Sequence, residues 1–142
     1  MTDQKILESL FQFVHALKRQ LHDQADTLAL GFSPMHLRVL KLVEKKKPCT
    51  AIDITGFLGR DKAQVTRLIN TLIESDLVTR EPNPNDKRSH YLNTTASGID
   101  MVEKIKSIDA ETVEIMTQGL SADELEEFQR ISEIMAKNLK NQ

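Results

Sequence analysis

Apolar residues recur at helical spacing along almost the whole chain, and the exception is one short stretch near its middle. Over residues 77–80 and 90–94 the period falls from 3.6 to two, which predicts two β-strands. The residues between them, 81–89, are polar and proline-rich, and we expect them to form the long tip of a hairpin. The predicted fold is therefore mainly α with a small β-hairpin.

Residues with a preference for helix termini divide the rest of the chain into six helical segments. The first apolar stripe spans residues 4–27. Gly59 separates the third segment from the fourth, which gives a helix-turn-helix pattern. Each later segment begins at a residue that suits an N-cap: Ser33, Thr50, Asp61, Thr95 and Ser121.

Charge is distributed unevenly along the chain, although the formal net charge is only −2. Residues 36–94 carry eleven basic and seven acidic side chains, whereas residues 1–35 have a net charge of −1 and residues 95–142 one of −5. A cationic middle between acidic ends is typical of a localised surface for a polyanion. Chance scatter in a highly charged soluble chain is the competing interpretation.

Composition argues against several classes of protein. Aromatic residues make up only 4% of the chain, which disfavours sugar clefts and base-stacking sheets. No apolar run approaches the ~20 residues of a membrane span, and the N-terminus lacks the features of a secretory signal. Because Cys49 is the single cysteine, we expect a reducing, cytoplasmic environment. The sequence contains no catalytic motif that we recognise, so we expect neither an enzyme nor a cofactor.

The fourth helical segment has the composition of a helix that reads DNA. Its apolar positions, among them Val65, Ile69 and Leu72, predict one buried face. Gln and Arg make bidentate contacts to base edges, while Lys and Thr suit phosphates. A solvated polar face is the alternative. The candidate DNA-binding residues on the exposed side are Lys62, Gln64, Thr66, Arg67 and Asn70.

The predicted hairpin tip is also cationic. It contains Lys87 and Arg88, and Pro82 and Pro84 restrict its backbone. A narrow A·T-rich minor groove has a strongly negative potential that attracts an inserted arginine. A mobile hairpin with solvated charges is the alternative.

The order of these elements resembles that of the MarR family, which are dimeric winged helix-turn-helix regulators of bacterial transcription. The resemblance is strongest over residues 65–74 and 77–80, and in Asp86-Lys-Arg88 followed by Thr95-Ala-Ser-Gly98. Two positions depart from the family pattern. Asp76 stands where the family usually has Gly, and Thr94 stands where it usually has Leu.

The resemblance implies a helical dimerisation arm at 1–32, a winged helix-turn-helix domain at 33–95 and further dimerisation helices at 96–142. It also implies that Arg88 enters a minor groove and that Asp86 positions the wing by pairing with a basic group, for which Arg80 is a candidate. The expected partners are double-stranded DNA, a second copy of the chain and a small anionic or aromatic effector. The expected activity is that of a ligand-responsive repressor at a pseudo-palindromic operator.

Two other functions remain open at this point. One is a winged-helix module that binds proteins and not DNA. The other is a redox-sensing regulator that uses Cys49, because the preceding lysines, residues 45–47, are a setting that can lower the pKa of a thiol. We expect Cys49 instead to be an ordinary loop or core thiol. The four histidines, His15, His22, His36 and His90, predict no metal site. His15 and His22 share a face of the first helix, but no third ligand stands at a regular spacing from them.

Overall fold

Helices and strands follow one another in the order that the sequence predicts, in a computed structural model that describes residues 3–28 and 31–142. Residues 1–2 and 29–30, which the sequence assigns to the first arm, lie outside the described residues. Fold class is thus confirmed as mainly α with one hairpin. The elements are α1 (Asp3–Leu28), α2 (Pro34–Lys45), α3 (Ala51–Leu58), α4 (Lys62–Glu74), β1 (Val78–Asn83), β2 (Asp86–Thr94), α5 (Ala96–Met116) and α6 (Ala122–Lys140).

The helices begin at the predicted capping residues because short side chains there accept otherwise unpaired backbone N–H groups. Thr50 Oγ1 accepts from Asp53 N at 3.3 Å, and the Asp53 carboxylate accepts from Thr50 N at 3.0 Å. Asp61 Oδ1 accepts from Gln64 N at 2.9 Å. Gly59, in the left-handed conformation with φ 62°, ends α3 and turns the chain into α4. Local hydrogen bonds therefore set the bounds of the helix-turn-helix.

One hydrophobic core within the compact unit Met1–Ile108 holds α4 and the hairpin in place. Helices α1, α2, α3, α4 and α5 and both strands contribute side chains to it. Burial of these side chains removes apolar area from water and is the main stabilising term. Its most buried members are Val39, Leu40, Val43, Ile54, Val65, Leu72, Val78 and Val102.

The hairpin is longer and its tip shorter than the sequence indicates. Pro82 pairs with His90 within the ladder, and the turn consists of Pro84 and Asn85 alone. The expected long irregular tip is wrong because each strand of a two-stranded sheet is an edge strand, where the missing N–H of Pro82 is tolerated. The register then shifts, so that Asn83 pairs with Asp86 and residues 87–89 bulge out of the ladder.

Hydrogen bonds accommodate both departures from the family pattern. Asp76 adopts a left-handed conformation with φ 61°, a region that Asp tolerates better than most residues other than Gly. Its carbonyl accepts from Thr95 Oγ1 at 2.7 Å. Thr94 at the end of β2 donates its hydroxyl to the carboxylate of Glu44 on α2. The Thr94 side chain thus attaches the base of the hairpin to α2, whereas the bond at Asp76 uses a backbone carbonyl that any residue there would supply.

A second compact unit, Asp109–Gln142, contains the end of α5 and the whole of α6. Ser121 and Glu124 form the predicted capping box at the start of α6. None of the residues of α6 is buried within this chain. The predicted domain boundaries at 32 and 95 stay a prediction. Among the helices that the structure describes, none combines the length and apolarity needed to cross a bilayer.

Candidate nucleic-acid interface

Helix α4 exposes two distinct polar surfaces on either side of Arg67. Lys62, Thr66 and Asn70 are spaced by four residues and form a stripe about 12 Å long on one side. Lys62, Thr66 and Arg67 are exposed, whereas Asn70 is half-buried. Gln64 is also half-buried and lies on the other side, against a cavity described below. The five predicted residues thus share one helix but divide between two surfaces.

Positive charge dominates the start of α4. Arg60 and Lys62 flank the N-cap Asp61, whose carboxylate is engaged by the backbone N–H of Gln64. The macrodipole of the helix adds a partial positive charge at the same end. An anion that approaches this end therefore meets two cations and the positive end of the helix dipole, against the single carboxylate of Asp61.

Local hydrogen bonds shape the hairpin tip. Asn83 Oδ1 accepts from Asn85 N at 2.9 Å, and Asn83 Nδ2 donates to Ser89 Oγ at 3.3 Å across the bulge. Asp86 Oδ1 accepts from Arg88 N at 2.9 Å. The side chains of Lys87 and Arg88 are exposed. The tip therefore presents two cations on a backbone that its own side chains hold in place.

Arg80, the candidate partner of Asp86 that the sequence left open, does not pair with it. Its guanidinium instead donates a hydrogen bond to Asn70 Oδ1 on α4. The register explains the difference: Arg80 pairs with Leu92, whereas Asp86 pairs with Asn83 about 10 Å further along the strand. Residues two apart on a strand share a face, so Arg80 lies on the same face of β1 as the buried Val78. This alternation predicts the face that Arg80 occupies, but not its partner on α4.

A cavity of about 380 Å³ lies between the start of α2 and the side of α4 that carries Gln64. Its lining combines two guanidinium groups with apolar and hydroxyl-bearing side chains. The sequence did not reveal it, because the residues come from separate elements. The lining residues are Ser33, Met35, His36, Arg60, Gln64, Arg67, Leu68 and Thr71.

His36 lines this cavity and caps the start of α2. Its Nδ1 accepts a hydrogen bond from the backbone N–H of Ser33 at 2.9 Å, which completes the capping box of α2. Partial burial lowers the pKa of His36 below its ordinary value. The ring also meets Phe32 edge to face, with ring centroids 5.7 Å apart. His36 therefore acts as a helix cap. Protonation of Nδ1 would remove the acceptor that the backbone N–H of Ser33 requires.

Cys49 lies in a setting opposite to the one that its lysine neighbours indicate. The side chain is fully buried, and its thiol donates to the carbonyl of Thr50 at 3.7 Å. Burial and, to a smaller extent, the charge of Asp53 raise the pKa of the thiol to about 11, although Lys46 acts in the opposite direction. The lowered pKa that the redox-sensing alternative requires is absent because desolvation outweighs the exposed lysine, and the buried position is that of an ordinary core thiol.

The four histidines do not form a metal centre within residues 3–28 and 31–142. No group of three or more His, Cys, Asp or Glu side chains there is arranged to hold an ion. The stripe on α4 and the residues beside it carry cations, an amide and a hydroxyl, which suit contacts to an anion.

The helix-turn-helix and the hairpin that follows it define a winged helix. Known proteins with this architecture are similar to the chain over most of its length. The sequence pattern of the MarR family matches residues 32–90. An uncharacterized HTH-type transcriptional regulator of Bacillus subtilis, YkoM, is 32% identical over 107 residues, which are 75% of this chain and 70% of the relative. The chain belongs to the MarR family of transcriptional regulators.

Solved structures share the same fold. A MarR protein from Peptoclostridium difficile superposes with a TM-score of 0.87 at 22% identity, over 99% of this chain and 91% of that one. A mutant of MarR from E. coli, complexed with operator DNA, superposes with a TM-score of 0.77 at 24% identity, over 91% and 92%. These two likenesses extend the shared fold beyond the residues that the family pattern covers.

Proposed function

We propose that the chain regulates transcription by binding double-stranded DNA, with α4 in a major groove and the hairpin tip in the adjacent minor groove. The observation that carries this proposal is the cationic surface of α4, formed by exposed Lys62 and Arg67, on the same compact unit as the exposed cations of the tip. A helix with its side chains is about 10–12 Å wide, which matches a major groove of about 12 Å. The E. coli relative with this fold is complexed with operator DNA.

The roles of the individual residues follow from their positions. Arg67 and Gln64 carry the groups that read guanine and adenine edges, and Lys62 and Thr66 suit phosphates. Arg88, beside Lys87 at the tip, suits the negative potential of a narrow minor groove. Asp86 fixes the backbone of Arg88 through its 2.9 Å hydrogen bond.

The regulator is proposed to act as a homodimer. Helix α1 carries an exposed apolar series, and α6 has no buried residue, although it is amphipathic. Exposed apolar surface of this extent is typical of an interface. A twofold axis then matches a pseudo-palindromic operator with half-sites about 34 Å apart. The exposed apolar residues of these helices include Ile6, Leu7, Leu10, Phe11, Val14, Phe128, Ile131, Ile134 and Leu139.

A small anionic effector is proposed to bind in the cavity beside α4. Arg60 and Arg67 supply positive charge there, and Met35 and Leu68 supply apolar surface. These chemistries together suit an aromatic carboxylate. Because Arg67 also lies on the DNA-facing side of α4, an anion that engages it competes with DNA. The protein then represses in the cytoplasm by occupying an operator until the effector releases it.

The test of DNA binding begins with a random-sequence duplex pool from which the wild-type protein selects its own site. An enriched, twofold-symmetric sequence and a dimer by sedimentation support the proposal. If no sequence is enriched, the proposal of DNA binding is wrong. If, in addition, the wild-type protein captures a protein from a lysate and α4 variants abolish that capture, the chain is a protein-interaction module.

Effector binding is tested on the selected duplex with benzoate as the probe. Benzoate is expected to weaken DNA binding by the wild-type protein, and Arg60→Ala is expected to reduce that effect. Lys62→Ala removes a neighbouring cation outside the cavity lining and is the matched control. Equal benzoate responses of wild type and Arg60→Ala would exclude this cavity as the site.

A further inference from the structure

The hydrogen bond between Arg80 and Asn70 joins α4 to the hairpin on the surface that we propose faces DNA. Arg80 is exposed and Asn70 is half-buried, so the bond lies at the edge of the core. Asn70 ends the stripe that starts at Lys62 and continues through Thr66. Arg80 thus extends this stripe from the helix onto β1.

The face of β1 on which Arg80 lies is set by its buried neighbours in the hairpin. Val78, two residues earlier, is buried in the core, and the residue that pairs with Arg80, Leu92, is also buried. Residues two apart on a strand share a face, so Arg80 emerges on the face that packs towards α4. The turn at Pro84 lies four residues further on, about 13 Å away. Arg80 therefore lies between α4 and the tip.

The sugar-phosphate backbone is the part of a duplex that separates a major groove from the adjacent minor groove. A cation between a helix in the first groove and a hairpin tip in the second consequently faces phosphate oxygens. The guanidinium has five N–H donors, and the bond to Asn70 uses one of them. Planar guanidinium groups bind phosphate with two parallel hydrogen bonds.

We propose that Arg80 contacts the DNA backbone between the two grooves and that Asn70 is a positioning residue that holds the Arg80 guanidinium there. This inference rests on the proposed DNA-binding function. It gives Asn70 a different role from base reading. Bidentate recognition of adenine needs the side-chain oxygen of Asn as an acceptor, and here Arg80 occupies one of the two lone pairs of that oxygen and ties the amide to β1.

The test is a double-mutant cycle on the selected duplex with Asn70→Ala, Arg80→Ala and the double variant. Arg80→Ala is expected to weaken binding about tenfold, equally for every base substitution in the duplex, and to reduce the salt slope by about 0.9 for each half-site. Asn70→Ala is expected to weaken binding less, with base preferences unchanged. The double variant is expected to bind like Arg80→Ala alone, because Asn70 acts only through Arg80.

Thr79→Ala is the matched control, since Thr79 is an exposed neighbour on the opposite face of β1. Thermal unfolding midpoints equal to wild type establish that each variant is folded. Loss of preference for adenine at one operator position in Asn70→Ala, or additive losses in the double variant, would overturn the inference. If Arg67→Ala weakens binding while both Arg80→Ala and Asn70→Ala leave it unchanged, the inference fails and DNA binding stands. If the wild-type protein selects no duplex, the proposed function itself fails.

Discussion

Gly98 at the start of α5 packs so closely against the backbone of Leu77 that a Cβ atom at position 98 would lie 2.2 Å from the Leu77 carbonyl oxygen. That carbonyl also accepts from Thr95 N at 3.0 Å, and Thr95 Oγ1 in turn accepts from Gly98 N at 3.0 Å. Through these contacts Thr95 and Gly98 hold Leu77, at the beginning of the hairpin, against the first turn of α5. This contact gives a physical reason for the spacing of Thr95 and Gly98.

Replacement of Gly98 by alanine is expected to destabilise the protein. In an open helix, Ala is favoured over Gly by about 1 kcal/mol, but here the new methyl group meets backbone that has to move. The free energy of unfolding is expected to fall by about 1–3 kcal/mol, measured by urea denaturation. Ser97→Ala, at the exposed neighbouring position, is the control and is expected to have little effect. A Gly98→Ala variant as stable as the control would contradict the close packing.

The sequence predicts the helices well because their ends depend on local bonds. The caps at Thr50 and Asp61 join residues only three apart, so residue types at fixed spacing suffice to locate them. The same holds for Ser121. Apolar periodicity then supplies the core face of α4, where Val65, Ile69 and Leu72 are buried as predicted.

The candidate interface is only partly predictable, because its remaining features depend on contacts between distant residues. The partner of Arg80 follows from strand register, which polar spacing does not encode. The hairpin tip is shorter than expected because an edge strand accepts Pro82. The raised pKa of Cys49 depends on the burial of its side chain, which cannot be predicted from the three lysines that precede it.

The Cys49 thiol is expected to be unreactive in the folded protein. With a pKa of about 11, roughly one molecule in a thousand carries a thiolate at pH 8, and burial also blocks access. Alkylation by iodoacetamide should therefore be far slower in the native state than in urea. Peroxide should leave the DNA affinity of wild type and Cys49→Ala equal. A peroxide response that Cys49→Ala abolishes would restore the redox-sensing alternative.

Stability is expected to depend on the protonation of His36. Because the folded pKa of His36 lies below its ordinary value of about 6.5, the fold favours the neutral ring. The unfolded chain therefore binds the proton first as the pH falls. The contribution of His36 to the free energy of unfolding is complete above about pH 6.5 and is lost as the pH falls through the lower folded pKa.

The measurement is a urea denaturation series between neutral and mildly acidic pH, with His36→Gln as the variant. Gln at this position retains an acceptor for the N–H of Ser33 and does not titrate. Its stability should decline less steeply than that of the wild type below pH 6.5. His90→Gln, at an exposed position on β2, is the control. Identical slopes for wild type and His36→Gln would exclude His36 as the titrating group.

Arg67 and Arg88 are expected to contribute to different parts of DNA recognition. On α4, Arg67 faces a major groove in which each base pair shows a distinct pattern of donors and acceptors. Arg67→Ala should cost about 1–3 kcal/mol per half-site and remove the preference at one or two specific bases. Lys104→Ala, on helix α5, also removes one exposed positive charge and is the matched control.

Arg88→Ala should weaken binding by a similar amount, about 1–3 kcal/mol, but leave those base preferences intact. The minor groove distinguishes A·T from G·C tracts through width and potential, so the loss should fall on discrimination for A·T content in the flanks. Each variant should reduce the salt slope by about 0.9 per charge removed from the interface, whereas Lys104→Ala should not. Titration against a substituted operator series at two salt concentrations measures all three effects. If Arg67→Ala and Arg88→Ala both bind as the control does, neither residue contacts DNA. A winged-helix module that binds proteins is then the better explanation of the function.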